Sequence, residues 1–319
     1  MAEAVLLVAH GSRSSAGRDE LLALAGAVRA ARPATPVHVG FLELSDPPAA
    51  RVLRELADTG AREVVVVPLM LFSAGHAKSD VPAVVVDARL EYPDARIHYA
   101  RPLGVDHRLL ALARRRLEAA GALGMPLAVL ARGTSDPDAN AEAWRASRLL
   151  ADMAETQRVA TGFSGLTWPS VTGALEQLHR LGATSIAVFS WFLATGVLLD
   201  TMRADVAAFA QATGVEIHDA GHFGTEPELV GLVWNRVDEV GASPALANCD
   251  TCAYRYPFPG LADRVNMAIG VGHSHLAAEH RHHAASHGHA HHHGDAGDGD
   301  AGDGEAHGRP REGPDPGAS

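Results

Sequence analysis

The sequence predicts an α/β protein made of two tandem copies of a four-stranded parallel-sheet domain. Short apolar runs alternate with segments of helical periodicity along most of the chain, and this alternation is typical of βαβ units. Glu63–Met70 (EVVVVPLM) is almost entirely apolar and β-branched, which favours a strand buried on both faces of a parallel sheet. The second half also repeats the first at a shift of 122 residues.

The first repeat contains four predicted strands and four predicted helices. The expected strands are Val5–Ala9, Val37–Leu42, Glu63–Met70 and Arg96–Ala100. Three of the expected helices are Ser15–Ala31, Val81–Glu91 and His107–Ala119, and a loop over 71–80 precedes the second of these. The remaining helix follows the second strand, with Asp46 as its N-cap and Pro47 and Pro48 in its first turn.

The second repeat aligns with the first without a gap. Phe41 matches Phe163 and Pro47 matches Pro169, which indicates duplication of one domain of about 120 residues. The matching strands are predicted at Leu127–Ala131, Val159–Phe163, Ile186–Ser190 and Val215–Asp219. We therefore expect domains at 1–120 and 121–242, joined through Gly121–Met125, followed by a separate C-terminal segment at 243–319.

Composition limits the classes of partner. The chain has 319 residues, 47% hydrophobic and 20% charged, in the range of ordinary globular proteins. Its net charge of −11 argues against nucleic acid or an anionic membrane as partner. The N-terminal MAEAVLLVAHG lacks the basic region of a signal peptide, and no apolar run is long enough to span a bilayer. We expect a cytoplasmic protein that binds a small molecule, as a monomer or a homodimer.

Polar side chains follow three consecutive strands of the first repeat. His10 follows the first strand, Glu43 and Asp46 the second, and His76 the third. Ligands of open parallel sheets bind beyond the carboxyl ends of the strands, so these side chains should meet at one edge. The structural alternative is a hydrogen-bonded histidine in each position, with Asp46 as a helix cap.

The repeat helps to choose between these interpretations. At the positions of His10, Glu43 and His76, the second half carries Arg132, Gly165 and Leu198. Residues needed only for the fold should recur in both copies. The difference favours a functional role for His10 and His76, leaves Glu43 open, and favours the capping role for Asp46.

Three motifs together resemble a known family. LLVAHGSR, FLEL-x-x-P and VVVVPLMLFSAGHAKSDVP are similar to the class II tetrapyrrole chelatases of the sirohydrochlorin branch, in particular the long CbiX type, over about Ala4–Val240. The resemblance implies two flavodoxin-like domains that face each other across a cleft for the macrocycle. It also implies a lyase, a sirohydrochlorin cobaltochelatase of cobalamin biosynthesis that inserts Co²⁺ without ATP.

The resemblance also implies roles for individual residues. His10 and His76 correspond to the metal-binding and proton-accepting histidines, and Glu43 to their acidic partner. An imidazole can take up a proton near neutral pH and binds cobalt, iron and nickel ions. The implied substrate contacts are Asp46 and the loop Leu71, Phe72, Ser73, Ala74 and Gly75. The side chains considered for holding substrate carboxylates are Arg13, Lys78 and Arg101.

Cys249 and Cys252 form a C-x-x-C pair after the second repeat. Such a pair can be half of a zinc site, a redox pair or two ligands of an iron–sulfur cluster. In long-form relatives the segment is associated with an iron–sulfur centre, whereas two exposed thiols near a chain end are the structural alternative.

The C-terminal segment is rich in histidine. Eleven histidines lie between 273 and 307, and the composition of 260–319 predicts disorder. The histidines are dispersed and do not end the chain, which favours a native metal-collecting tail over a purification tag. The residues expected to bind metal there are His287, His289, His291, His292 and His293.

Two alternatives remain at this stage. The same enzyme could insert iron for siroheme, or nickel, because one imidazole site accepts several divalent ions. A protein of another class, a histidine-rich metal store with an inactive chelatase body, would use the tail alone. The tail and the cysteine pair favour cobalt, because the long family form that carries them is linked to cobalt insertion.

Overall fold

Two four-stranded parallel sheets form the framework, as seen in a computed structural model that describes residues 3–240. The strands of the first sheet, in the order β2-β1-β3-β4, are β1 (Ala4–Ala9), β2 (Val37–Phe41), β3 (Glu63–Pro68) and β4 (Arg96–Tyr99). The second sheet repeats this order as β6-β5-β7-β8, with β5 (Leu127–Arg132), β6 (Val159–Ser164), β7 (Ser185–Ser190) and β8 (Glu216–Asp219). The predicted α/β architecture of two parallel-sheet domains is confirmed.

A helix follows each strand of both sheets. In the first half the helices are α1 (Ser15–Ala31), α2 (Ala49–Asp58), α3 (Val81–Glu91) and α4 (His107–Ala119). In the second half they are α5 (Pro137–Met153), α6 (Val171–Arg180), α7 (Val197–Thr213) and α8 (Pro227–Glu239). None of the helices in this described part of the chain is long and apolar enough to cross a membrane.

Two sequence predictions on the first half need correction. Helix α2 begins at Ala49 and has Pro48 at its N-cap, so Asp46 lies too far from the helix to cap it. The predicted loop over 71–80 ends at Gly75, because His76–Asp80 forms a π-helical turn that continues into α3. In this turn Val81 N–H donates to His76 C=O, five residues earlier. The following Pro82 has no N–H with which to make an α-helical bond.

One apolar core joins the two halves. It includes buried residues of β1 and α1 together with residues of α4, α5 and α8, while two smaller cores each lie within one half. Helix α8 contacts α1 and α4, and α4 also contacts α5. On α8, Trp234 donates its indole N–H to Val28 C=O of α1 at 3.0 Å.

Arg236 of α8 makes a deeply buried ionic contact between the halves. Its side chain is 1% exposed and donates to Pro102 C=O and Leu103 C=O, and it pairs with Asp106 at 3.1 Å. Arg101 pairs with Glu239 at 2.6 Å in the same region. Arg101, considered above for substrate binding, therefore serves the contact between the halves.

The buried cluster gives a prediction about stability. Arg236→Ala should lower the free energy of unfolding by about 3–5 kcal/mol, because it leaves the carbonyl groups of Pro102 and Leu103 without their donor and removes one of the two cations that pair with Asp106. Urea-induced unfolding followed by circular dichroism measures this change. The control is Arg180→Ala, which removes an exposed pair with Glu176 and should change stability by less than about 0.5 kcal/mol. Equal losses of unfolding free energy in the two variants would contradict the stabilising role assigned to Arg236.

The segment 241–319 lies outside the described residues. The predictions for Cys249 and Cys252, for the histidine-rich tail and for disorder over 260–319 concern that segment. They stay predictions.

Candidate metal-binding site

Three strand ends of the first sheet bring His10, Glu43 and His76 together. One ligand atom from each side chain lies within 4.8 Å of those of the other two, and no other such group of three His, Cys, Asp or Glu residues occurs within 3–240. The imidazole rings of His10 and His76 meet edge to face, with centroids 4.6 Å apart. The side chains of all three are partly exposed, at 24%, 17% and 20%. The structure thus places the three residues at one edge.

Gly11 allows the first two strand ends to approach so closely. It has a φ of +101°, and a β-carbon in its place would lie 1.8 Å from the carbonyl oxygen of Glu43. Glu43 N–H also donates to the carbonyl of His10 at 3.0 Å. No residue with a side chain fits this position without moving the backbone, so glycine is required here for close contact and not only for turning.

His10 is a neutral imidazole. Burial, with smaller contributions from His76 and Arg132, lowers its pKa from 6.5 to about 4. Its Nε2 lies 2.8 Å from Glu43 Oε1. We therefore assign this contact as a hydrogen bond from a neutral ring to the carboxylate and not as an ion pair.

Asp80 is a site residue that the sequence analysis missed. Its Oδ2 lies 2.6 Å from His76 Nδ1. A proton on Nδ1 leaves Nε2 of His76 with a free lone pair, which is how carboxylates usually orient metal-binding histidines. The signal was present in the sequence, because HAKSD places His76 and Asp80 four residues apart. That spacing brings side chains together only on a helix, whereas the sequence pattern predicts a loop over 71–80.

The second half contributes charge to the same edge. Arg132 ends β5 at the position that matches His10, is exposed, and disfavours a proton on His10. The loop after β7 also reaches the first half, since a β-carbon on Gly17 would lie 2.3 Å from Thr195 C=O. The carboxyl edges of the two sheets therefore face each other.

The other predicted substrate residues differ in exposure. Asp46 is exposed, and within the loop Leu71 and Ser73 are buried while Ala74 and Gly75 are partly exposed. The ring of Phe72 stacks against Trp191 of the second half, with centroids 6.1 Å apart and planes at 16°.

Lys78 is not available to bind substrate. Its side chain is 6% exposed, and its ammonium group pairs with Asp136 and with Asp138 of the second half, each at 2.9 Å. Burial lowers the pKa of Lys78, but the two carboxylates outweigh burial and the net pKa rises. Arg13 remains exposed.

Comparison with known proteins identifies the family. The model of the CbiX family matches residues 4–120 and again 126–240, so the chain belongs to this family and carries two copies of its domain. The chain is 34% identical over 260 residues to a sirohydrochlorin cobaltochelatase of Priestia megaterium, covering 79% of this chain and 85% of the relative. It is 27% identical over 248 residues to a sirohydrochlorin ferrochelatase of Bacillus subtilis, covering 76% and 94%.

Solved structures agree with this assignment. SirB from Bacillus subtilis with Fe³⁺ superposes with a TM-score of 0.67 at 27% identity, covering 76% of this chain and 96% of SirB. The sirohydrochlorin chelatase SirB of Bacillus subtilis subspecies spizizenii in complex with cobalt gives a TM-score of 0.65 at 27% identity, covering 76% and 97%.

The low pKa of His10 predicts a specific dependence of stability on pH. Between about 4 and 6.5 the unfolded chain binds a proton at His10 that the folded protein does not, so stability falls as the pH falls through this window. Relative to His10→Gln, the wild-type protein should lose on the order of 2 kcal/mol between pH 7 and pH 4. Urea unfolding of both proteins at several pH values measures the difference, and parallel curves would contradict a lowered pKa of His10.

Proposed function

We propose that the protein is a sirohydrochlorin cobaltochelatase, a lyase that inserts Co²⁺ into sirohydrochlorin without ATP. The observation that carries the proposal is the cluster of His10, Glu43 and His76, whose ligand atoms lie within 4.8 Å of one another. Two nitrogen donors and one carboxylate suit a borderline divalent ion and hold it loosely enough to release it. Membership of the CbiX family and the cobaltochelatase relative support the choice of substrate.

The geometry suggests different roles for the two histidines, one in binding the metal ion and one in accepting a proton. A pKa of about 4 keeps His10 neutral and able to bind an ion at neutral pH, but makes it a weak base. When an ion binds to Nε2 of His10, the single proton of the neutral ring has to sit on Nδ1, which faces Gly11 C=O at 3.3 Å, and Glu43 then remains a free carboxylate. We therefore propose that His10 acts chiefly as a ligand, and that His76 and Glu43 accept the two pyrrole protons.

Substrate contacts are proposed at the same edge. Asp46 and the loop from Leu71 to Gly75 would contact the macrocycle. Because Leu71 and Ser73 are buried, their contribution would come from the backbone, and side-chain contacts would come from Phe72 and Ala74. Two exposed arginines are suited to pair with substrate carboxylates. Arg13 lies three residues after His10 in the chain, and Arg132 of the second half is close enough to lower the pKa of His10.

Iron is the second candidate metal. A ferrochelatase relative and structures of SirB with either Fe³⁺ or cobalt have similar overlap with this chain. Absorbance-monitored metallation of sirohydrochlorin under anaerobic conditions, with Co²⁺, Fe²⁺ and Ni²⁺ in parallel, decides between them. Faster insertion of Fe²⁺ at equal free concentration would favour a role in siroheme synthesis.

The remaining parts of the chain complete the proposal. We propose domain limits of 1–120 and 121–242, in line with the two family matches, and a C-terminal segment at 243–319 that collects metal through histidines such as His291–His293.

Metallation as proposed involves neither Cys249 nor Cys252. Iron and acid-labile sulfide in anaerobically purified protein, absent from Cys249→Ser, would assign that pair to an iron–sulfur cluster. We place the reaction in the cytoplasm.

The first prediction from this proposal concerns the histidines. His10→Ala or His76→Ala should lower kcat/KM for Co²⁺ insertion at least a hundredfold, because each removes one of two nitrogen ligands. The measurement is the change in absorbance as sirohydrochlorin is metallated. Leu198→Ala is the matched control, since Leu198 is exposed and occupies the position of His76 in the second half. Activity within about twofold of wild type in the histidine variants would refute the proposal.

The second prediction separates an enzyme from a metal store. Deletion of residues 272–319 removes all eleven histidines of the tail. With Co²⁺ in excess, the truncated protein should metallate sirohydrochlorin at nearly the wild-type rate, because the tail only raises the local ion concentration. At limiting Co²⁺ its rate should fall. Loss of all activity in excess Co²⁺ would favour a protein whose function depends on storage by the tail.

A further inference from the structure

Two hydrogen bonds cross between the halves in a reciprocal arrangement. Ser73 N–H, in the loop after β3, donates to Glu142 Oε2 of α5 at 2.7 Å. Thr195 N–H, in the loop after β7, donates to Glu20 Oε2 of α1 at 2.7 Å. Both residues of the second bond match those of the first at the 122-residue shift. Each half thus holds the loop of the other through its first helix, as in a two-fold symmetric dimer.

A further ion cluster breaks this symmetry. Lys78 pairs with Asp136 and Asp138 at the start of α5, and their side chains are 6%, 1% and 5% exposed. Asp136 also caps α5 by accepting from Asp138 N–H. The matching positions in the other direction are Asp200, Ser14 and Ala16, which cannot form such a cluster. The additional contact therefore occurs only on the loop that carries His76.

These contacts lie on both sides of His76. Ser73 is three residues before it and Lys78 is two residues after it, on the same π-helical turn. Tyr99 OH also donates to the carbonyl of Ala77 at 2.5 Å, from within the first half. The contacts from the second half therefore hold residues 73–78, the segment that carries His76 and sets the 4.6 Å separation between the imidazole rings of His10 and His76.

We propose that α5 of the second half positions His76 for metal insertion, and that Lys78, Asp136, Asp138 and Glu142 are positioning residues for the site in the first half. The inference rests on the proposed function. It gives the second half, which has no histidine at the matching strand ends, a role in the activity. Two ligands from different strand ends bind one ion only if their separation is kept, and α5 keeps one of them in place.

The structural alternative is that these contacts only join the halves. A buried ion pair is by itself weak evidence for stability, so the two interpretations differ in what they predict and not in the contacts themselves. The pseudo-symmetric pair of glutamates makes the distinction measurable. Glu142→Ala and Glu20→Ala remove equivalent hydrogen bonds from the same interface, but only the first affects the loop that carries His76; Glu20 additionally contacts His222 at 3.1 Å.

The experiment compares these two variants in the full-length protein. We expect both to lower Tm by similar amounts. Glu142→Ala should lower kcat for Co²⁺ insertion about tenfold and speed hydrogen–deuterium exchange in residues 71–80. Glu20→Ala should instead speed exchange in residues 193–198 and leave kcat within about twofold. Glu142→Gln, whose amide oxygen can still accept from Ser73 N–H, should recover most of the activity.

A second variant tests the ion cluster. Lys78→Met combined with Asp138→Asn keeps the net charge of the cluster at −1, which avoids leaving two buried carboxylates without a cation. It should lower kcat and speed exchange in residues 71–80, as Glu142→Ala does. Equal kcat in Glu142→Ala and Glu20→Ala, or faster exchange in 71–80 without loss of kcat, would overturn the proposal.

The two proposals fail in different ways. If wild-type protein does not metallate sirohydrochlorin with any of the three ions, the proposed function is wrong. If it does and the variants keep both the wild-type kcat and the wild-type exchange in residues 71–80, only the positioning role is wrong.

Discussion

The close approach of two strand ends in the first sheet is the constraint on which the site depends. Parallel strands in the order β2-β1-β3-β4 place the ends of β1, β2 and β3 side by side at one edge. Gly11 then allows the backbone of Glu43 to reach the end of β1, and the side chains of His10 and Glu43 meet at 2.8 Å. A β-carbon at position 11 would push these segments apart, and the distance between nitrogen and carboxylate donors would grow accordingly.

The duplicated domain has become asymmetric in chemistry while staying symmetric in architecture. Both halves have the same strand order, a cis proline at positions 47 and 169, and an isolated bridge beside it. Only the first half carries histidines at the ends of its first and third strands, since Arg132 and Leu198 occupy those positions in the second half. In the second half Arg132 occupies the place of His10, where its charge helps to keep His10 neutral. One copy thus supplies the three clustered side chains, and the other supplies charge and contacts around them.

The electrostatics of the site suit an ion that must be bound and then released. A charged histidine would repel a divalent ion, and burial prevents this by lowering the pKa of His10. Asp80 fixes the proton of His76 on Nδ1, so Nε2 remains available as a ligand. With one carboxylate and two imidazoles, the group of three side chains has fewer members than the ligand set of a structural zinc site usually has. An incomplete ligand set leaves room for the nitrogens of an acceptor ring.

The sequence by itself determined the parallel α/β architecture, the internal repeat and three of the residues at the site. These follow from short-range patterns: β-branched runs, helical periodicity, and polar residues directly after strands. The π-helical turn that pairs His76 with Asp80, the start of α2 at Ala49 and the pairing of Lys78 with Asp136 and Asp138 were decided only by the tertiary structure. The physical reason is that some of these features, such as the pairing of Lys78, depend on contacts between residues distant in the chain. Others, such as the π-helical turn, depend on packing, which selects one of two similar local hydrogen-bond patterns. Sequence spacing does not encode either directly.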